Sequence, residues 1–172
     1  MAPIEIREEN STDQDAIRDV LRSAFPRDAE ARLVDLLRQR QLASIALVAA
    51  ADNRIVGHIL FSPVTVANTP PRFRGLGLAP VAVHRDFQNR GIGSTLIREG
   101  LDRCKQGSYA AVVVLGHPGY YPRFGFRTAS AYGLVNEYGV DDAFMVVGLE
   151  DGILNKISGL VRYAPEFREV DC

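Results

Sequence analysis

Residues 78–101 read LAPVAVHRDFQNRGIGSTLIREGL. An apolar, extended run closes at Val83, a polar turn follows, and Gln88-Asn89-Arg90-Gly91-Ile92-Gly93-Ser94 opens a helix. The first turn of any helix leaves about four backbone N–H groups without intrahelical partners. Those donors and the positive end of the helix dipole favour an anion, a diphosphate above all. Gly91 and Gly93 lack a Cβ, so a bulky anion can approach the backbone itself, and Arg90 adds a formal positive charge. Two other nucleotide signatures fail. A P-loop ends in Gly-Lys-Ser/Thr, which this chain lacks, and Gly75-Leu76-Gly77 is followed by Pro80 and by no helix, so it does not open a dinucleotide fold.

Downstream, residues 91–105 continue as an amphipathic helix that buries Ile92, Leu96, Ile97 and Leu101. The apolar run at 110–115 is the mark of a central strand covered on both faces. A short turn or helix is expected at 119–124, with strands at 126–128 and 144–149. Upstream, residues 4–8 alternate as a half-buried strand. Ser11 and Thr12 are cap-type residues before a helix to Phe25 that buries Ile17, Val20, Leu21 and Ala24 and stops at Pro26. A second helix over 29–41 turns Leu33, Leu36 and Leu37 inward. Residues 44–51 are β-like, Asp52-Asn53 has turn chemistry, and 55–66 is a long strand. Extended structure resumes at 73–83, where Gly75 and Gly77 are expected to mark a bulge or bend. The order predicts one mixed α/β (α+β) domain over 1–172, with a core at 3–150 and a C-terminal extension at 151–172.

Composition narrows the function classes. The 172 residues are 47% hydrophobic and 24% charged with net charge −1, enough for one packed core and without the basic surplus of a nucleic-acid binder. The longest apolar runs fall far below the roughly 20 residues of a membrane span, and residues 1–15 contain no signal-like apolar run. A cytoplasmic protein that engages neither nucleic acid nor membrane is expected. The two cysteines, Cys104 and Cys172, make neither a disulfide framework nor a metal site, and Cys104 falls in an amphipathic stretch as a core or boundary residue.

Gln88-x-x-Gly91-x-Gly93 after an extended strand resembles the acetyl-CoA motif of the GNAT superfamily of N-acyltransferases, and Tyr121-Pro122-Arg123-Phe124-Gly125-Phe126 is similar to that superfamily's downstream Tyr-x-x-x-Gly-Phe element. The wording from Gly116 through Tyr120-Tyr121 to Phe126 is most similar to a bacterial branch of acetyltransferases. The resemblance implies a splayed, mostly antiparallel sheet flanked by helices, with acetyl-CoA as cosubstrate and no metal. It implies that the backbone of Val81, Ala82 and Val83 hydrogen-bonds the pantetheine arm and that the amides of Gln88, Asn89, Arg90, Gly91, Ile92, Gly93 and Ser94 cradle the pyrophosphate. A splay between the strands ending at Val83 and Leu115 then opens a slot for the thioester. Tyr121 matches the tyrosine that protonates the departing thiolate. One departure stands out: where many members carry an Asn shortly before that tyrosine, this chain has Leu115-Gly116-His117-Pro118-Gly119.

Acetyl transfer requires a neutral amine, a donor for the oxyanion and a proton for sulfur. Tyr121 is the expected general acid, with Tyr120 as its alternative, and backbone N–H near Val81 or Val83 is the oxyanion donor. The base stays open among Glu30, His58, His84, Asp86, His117 and a water relay; Glu30, at the start of the second helix, is taken with Tyr121 as a candidate catalytic residue, in the role of base. A lysine amine at about pKa 10.4 needs a base far more than an α-amine at about 8. No cysteine lies in the matched motifs, so transfer through a ternary complex is expected, onto a primary amine of a small molecule or peptide. A non-catalytic acyl-CoA sensor is the alternative. A homodimer is a further expectation by analogy with the fold. The loops at 68–73 and 132–143 are expected on the acceptor side, with Asp141 and Asp142 as candidate attractors of a cation.

Overall fold

The computed structural model describes residues 3–172, so Met1 and Ala2 of the expected domain lie outside the described residues. Contacts divide the chain into two units: Met1–Phe61 with Ala79–Gly100 and Pro165–Cys172, and Ser62–Leu78 with Leu101–Ala164.

In the first unit, β1 (Glu5–Glu8) pairs antiparallel with β2 (Ile45–Ala51), and β2 with the first part of β3 (Arg54–Asn68). Asp52 and Asn53 hold φ of 50° and 62° at the β2–β3 turn, the left-handed pair a two-residue hairpin requires. Side chains alternate across a strand. Gly57, Ile59 and Phe61 therefore meet one helix, α3 (Ile92–Gln106), whose Leu96 and Ile92 pack over Gly57 and whose Gly100 packs on Phe61. His58 faces the opposite side, where Glu9 joins it to Arg38 of α2 (Ala29–Gln39). In α1 (Gln14–Ala24), Ile17, Val20 and Leu21 are buried.

The start of α1 differs from the cap expected at Ser11 and Thr12. Asn10 accepts from the Thr12 amide and the Asp13 carboxylate accepts from the Asn10 amide, a reciprocal box at the head of a 3-10 turn over Ser11–Asp13. The α2 face also differs. Leu33, Val34 and Leu37 are buried and Leu36 is only half-buried, because the buried stripe runs one position away from the expected one. The C-terminal α4 (Glu166–Glu169) is tied to α2 through Arg40, which pairs with both Glu166 and Glu169.

In the second unit, β4 (Gly75–Val83) opens with a parallel ladder, Gly75–Gly77 against Ala111–Val113 of β5 (Ala111–Leu115). A parallel pair needs a crossover, and α3 is the segment between them. β5 pairs antiparallel with β8 (Phe144–Gly148), and β6 (Arg127–Thr128) with the other edge of β8. Two further strands, β7 (Leu134–Asn136) and β9 (Ser158–Arg162), pair parallel with one another, and β9 also pairs with the end of β3. Gly75 and Gly77 make no bulge. They sit in register with β5, and the space a Cβ would need is filled by the rings of Phe73 and Tyr163. The pairing is mostly antiparallel, as expected. No helix among the described residues is long and apolar enough to cross a membrane.

Candidate active site

The first unit carries the candidate anion cradle. β4 ends at Val83, with Val81 and Val83 half-buried and Ala82 buried. The His84 amide donates to the Val56 carbonyl at 2.8 Å, which pins the strand end to β3. A 3-10 turn over Arg85–Phe87 follows, capped by His84 Nδ1 accepting from the Asp86 amide. Gln88 then reaches back, its Nε2 donating to the Val83 carbonyl at 2.9 Å. Asn89 takes φ 64° and Gly91 φ 81°, so the chain reverses through two left-handed residues before the helix. A Cβ on Gly91 would meet nothing within 4 Å, which leaves the backbone there open to a ligand. The Thr95 amide and hydroxyl both donate to the Gly91 carbonyl, so the amides of Ile92 and Gly93 precede this first helical bond.

Positive charge gathers at the same place. The guanidinium carbons of Arg90 and Arg54 lie 5.3 and 5.2 Å from the centre of the Phe87 ring, within cation–π range. Arg54 had no signal in the sequence: it sits in a hairpin more than thirty positions upstream of Phe87, and only the β3–β4 pairing brings it here.

The second unit carries Tyr121, at the start of a 3-10 turn over Tyr121–Phe124. Its amide and that of Tyr120 both donate to the His117 carbonyl, so His117 serves the turn through its backbone while its side chain is exposed. The Tyr121 ring meets Tyr120, Phe124 and Phe126 edge-on, with centroids 5.3, 6.2 and 5.6 Å away. Gly116 leaves room for this ring: a Cβ at Gly116 would overlap Tyr121. Burial pushes the Tyr121 hydroxyl up to about 12, helped by neighbouring Tyr120. The group stays protonated at neutral pH, as a proton donor must.

The base candidates scatter. His58 is wholly buried and its Nε2 lies 2.8 Å from Glu9, whose other oxygen takes the Arg38 Nε at 2.7 Å. Burial acts to raise Glu9, and the hydrogen bonds from His58 and Arg38 outweigh it and hold the carboxyl below its usual range. His58 is thus an inner member of a polar network. His84 caps its own turn, and Asp86 is exposed 3.7 Å from its Nδ1. Glu30 stands in the first turn of α2, 3.5 Å from Arg27, with Oε2 buried and unbonded. Among the described residues no group of three or more His, Cys, Asp or Glu could hold a metal ion.

The sequence profile described as an acetyltransferase (GNAT) domain matches residues 5–129. The N-acetyltransferase YhbS of Escherichia coli K12 is 40% identical over 164 residues, 94% of this chain and 97% of its own length. The crystal structure of YhbS from Escherichia coli in complex with CoA superposes with a TM-score of 0.92 at 37% identity, covering 98% of this chain and 93% of that one. A GNAT family acetyltransferase from Brucella melitensis, solved in complex with acetyl-CoA, matches at TM-score 0.80 and 32% identity over 97% of this chain and 99% of that one.

Proposed function

Because the chain belongs to the GNAT acetyltransferase family, we propose that it moves the acetyl group of acetyl-CoA directly onto a primary amine within a ternary complex. The observation that carries the proposal is the mouth of α3: an open, left-handed Gly91 ahead of the first helical hydrogen bond, with two guanidinium groups on Phe87 beside it.

Each residue has a role that its surroundings suit. The amides from Gln88 to Ser94 receive the pyrophosphate, and Arg90 and Arg54 supply the counter-charge. The Gln88 side chain is occupied with the Val83 carbonyl, so it braces the turn while its backbone faces the ligand. Val81, Ala82 and Val83 offer backbone groups to the pantetheine arm as an added strand would. Tyr121 donates its O–H to the leaving sulfur. A phenol at about 12 is a weaker acid than a thiol at about 8.5, so the proton moves fully only as the amine's own proton refills the phenol. Glu30 is kept as the candidate base, on the strength of its buried, unbonded Oε2.

Direct transfer fits the cysteines. Burial pushes the Cys104 thiol up to about 12, and burial with Glu30 nearby pushes Cys172 up to about 11, so neither offers a thiolate near neutral pH.

The test pairs calorimetry of acetyl-CoA with initial rates of thiol release on a panel of primary amines. Intersecting double-reciprocal lines and a loss of about 10²–10⁴ in kcat for Tyr121→Phe, at unchanged acetyl-CoA affinity, are expected. Parallel lines would remove the ternary complex, full activity of Tyr121→Phe would remove the acid, and absence of acetyl-CoA binding would remove the whole assignment.

A further inference from the structure

Arg54 opens β3 and comes to the anion cradle from outside the loop that follows β4. Elsewhere in the same unit Arg7, Arg18, Arg22, Arg38 and Arg40 each bond a carboxylate directly. The Arg54 guanidinium does not. Among the described residues it meets the Phe87 ring, whose centre is 5.2 Å from its carbon, and His84 Nε2, 3.5 Å from Nη2.

The His84 contact is a meeting of two donors. His84 is fixed by its amide, which donates to the Val56 carbonyl on the strand that Arg54 begins. Its Nδ1 accepts from the Asp86 amide at 3.2 Å, so that nitrogen carries no proton and the neutral ring carries it on Nε2. Nε2 is the atom that faces Arg54, and a guanidinium has donors but no acceptor. The two N–H groups therefore converge without either receiving the other, and an anionic oxygen that accepts from both would join them. Phe87 backs the pair, its ring edge-on to His84 with centroids 6.2 Å apart. The carboxylate beside them, Asp86, is exposed and lies 3.7 Å from the other ring nitrogen, Nδ1.

We propose that Arg54 and His84 form the seat of the 3′-phosphate on the ribose of coenzyme A, and that this pair sets a preference for coenzyme A over its dephospho form. The proposal deepens the acetyltransferase reading and rests on it, giving Arg54's share of the counter-charge to the ribose phosphate. The pyrophosphate linker carries a single charge on each phosphorus and has the loop amides and Arg90 to meet it. A monoester phosphate carries about −1.5 to −2 at neutral pH and three strong acceptor oxygens, so it calls for donors of its own. The planar fork of Arg54 suits two of those oxygens at once, and the His84 Nε2–H is aimed at the same place.

The test is calorimetry of the full chain with coenzyme A and with 3′-dephospho-coenzyme A at one fixed ionic strength. Coenzyme A is expected to bind at least about tenfold more tightly than the dephospho form. Arg54→Gln brings that ratio to within about twofold and leaves the affinity for dephospho-coenzyme A unchanged, which also reports a folded cradle. His84→Asn keeps an acceptor for the Asp86 amide but removes Nε2, and lowers the ratio by about threefold or more. A wild-type ratio near one, a preference that survives Arg54→Gln, or a ratio that His84→Asn leaves untouched overturns the proposal. Equal weakening of both ligands by Arg54→Gln overturns it too, and gives the arginine to the pyrophosphate. Failure of the wild-type protein to bind either form counts first against the family-level assignment, and this proposal falls with it.

Discussion

At the scale of single residues, a run of paired side chains surrounds buried His58. Glu9 accepts from buried His58 and from Arg38, and Arg38 passes on to Asp35, which Arg18 also holds. Glu9 is depressed in the folded protein, so its contribution to stability is present above the ordinary carboxylate pKa and is lost as pH falls through the lower folded value. Asp13, depressed mainly by its hydrogen bonds from Arg7, adds a loss of the same sign. Glu9→Gln is therefore expected to lower stability at pH 7 by about 1–3 kcal/mol and to flatten, without abolishing, the fall below about pH 4.5. Urea midpoints measured from pH 7 to pH 3 check both parts. An unchanged acid limb in the variant would move the titration to other groups. Tyr121 carries the opposite linkage: its raised pKa contributes below about pH 10 and is lost as pH rises toward the folded value of about 12.

Elements follow from patterning, and glycine sets how closely they approach. In α3, Gly100 faces Phe61, and a Cβ there would stand 2.5 Å from Cε1 and 2.7 Å from Cζ of that ring. Intrinsic helix propensity favours Ala over Gly by about 1 kcal/mol, whereas overpacking a core costs about 1–3 kcal/mol. The ring is wholly buried, so the second effect wins. Gly100→Ala is expected to lower the urea midpoint, and a stabilised variant would mean that Phe61 has room to swing aside. The elements legible beforehand were those with a local period. α1, α2 and α3 showed amphipathic faces, β5 its apolar run, and the β2–β3 hairpin its Asp52-Asn53 turn. β7 and β9 were not legible. The first is three residues long, and the second contains Gly159 at φ 93° and is a strand only because β3 and β7 lie on either side of it.

For the whole molecule, the coenzyme should report itself in stability, since a ligand that binds only the folded state adds RT ln(1 + [L]/Kd). At about 100 times Kd this is about 2.7 kcal/mol, or about 5–10 °C in Tm for a chain of this size. A thermal melt with acetyl-CoA, CoA and ADP is expected to show that rise with the first two and a smaller one with ADP at equal concentration, because ADP lacks the pantetheine arm that β4 would pair. An equal rise with ADP would confine recognition to the phosphate cradle.

From its own order of residues the chain announced the coenzyme end of its chemistry. Gln88, Gly91, Gly93 and the helix they open are contiguous, and anion binding by backbone amides is a local property that needs no distant partner. The short turn that carries Tyr121 was legible for the same reason, bounded by Gly116 and Phe126. The surroundings of these motifs came only with tertiary structure. Arg54 reaches Phe87 through strand pairing, and Tyr138 meets Tyr163 beyond the end of the parallel β7–β9 ladder. His58 became an inner network member when Glu9 and Arg38 closed over it. Contacts between residues so far apart leave no period or spacing in a sequence, because chain folding, not chain order, makes them neighbours.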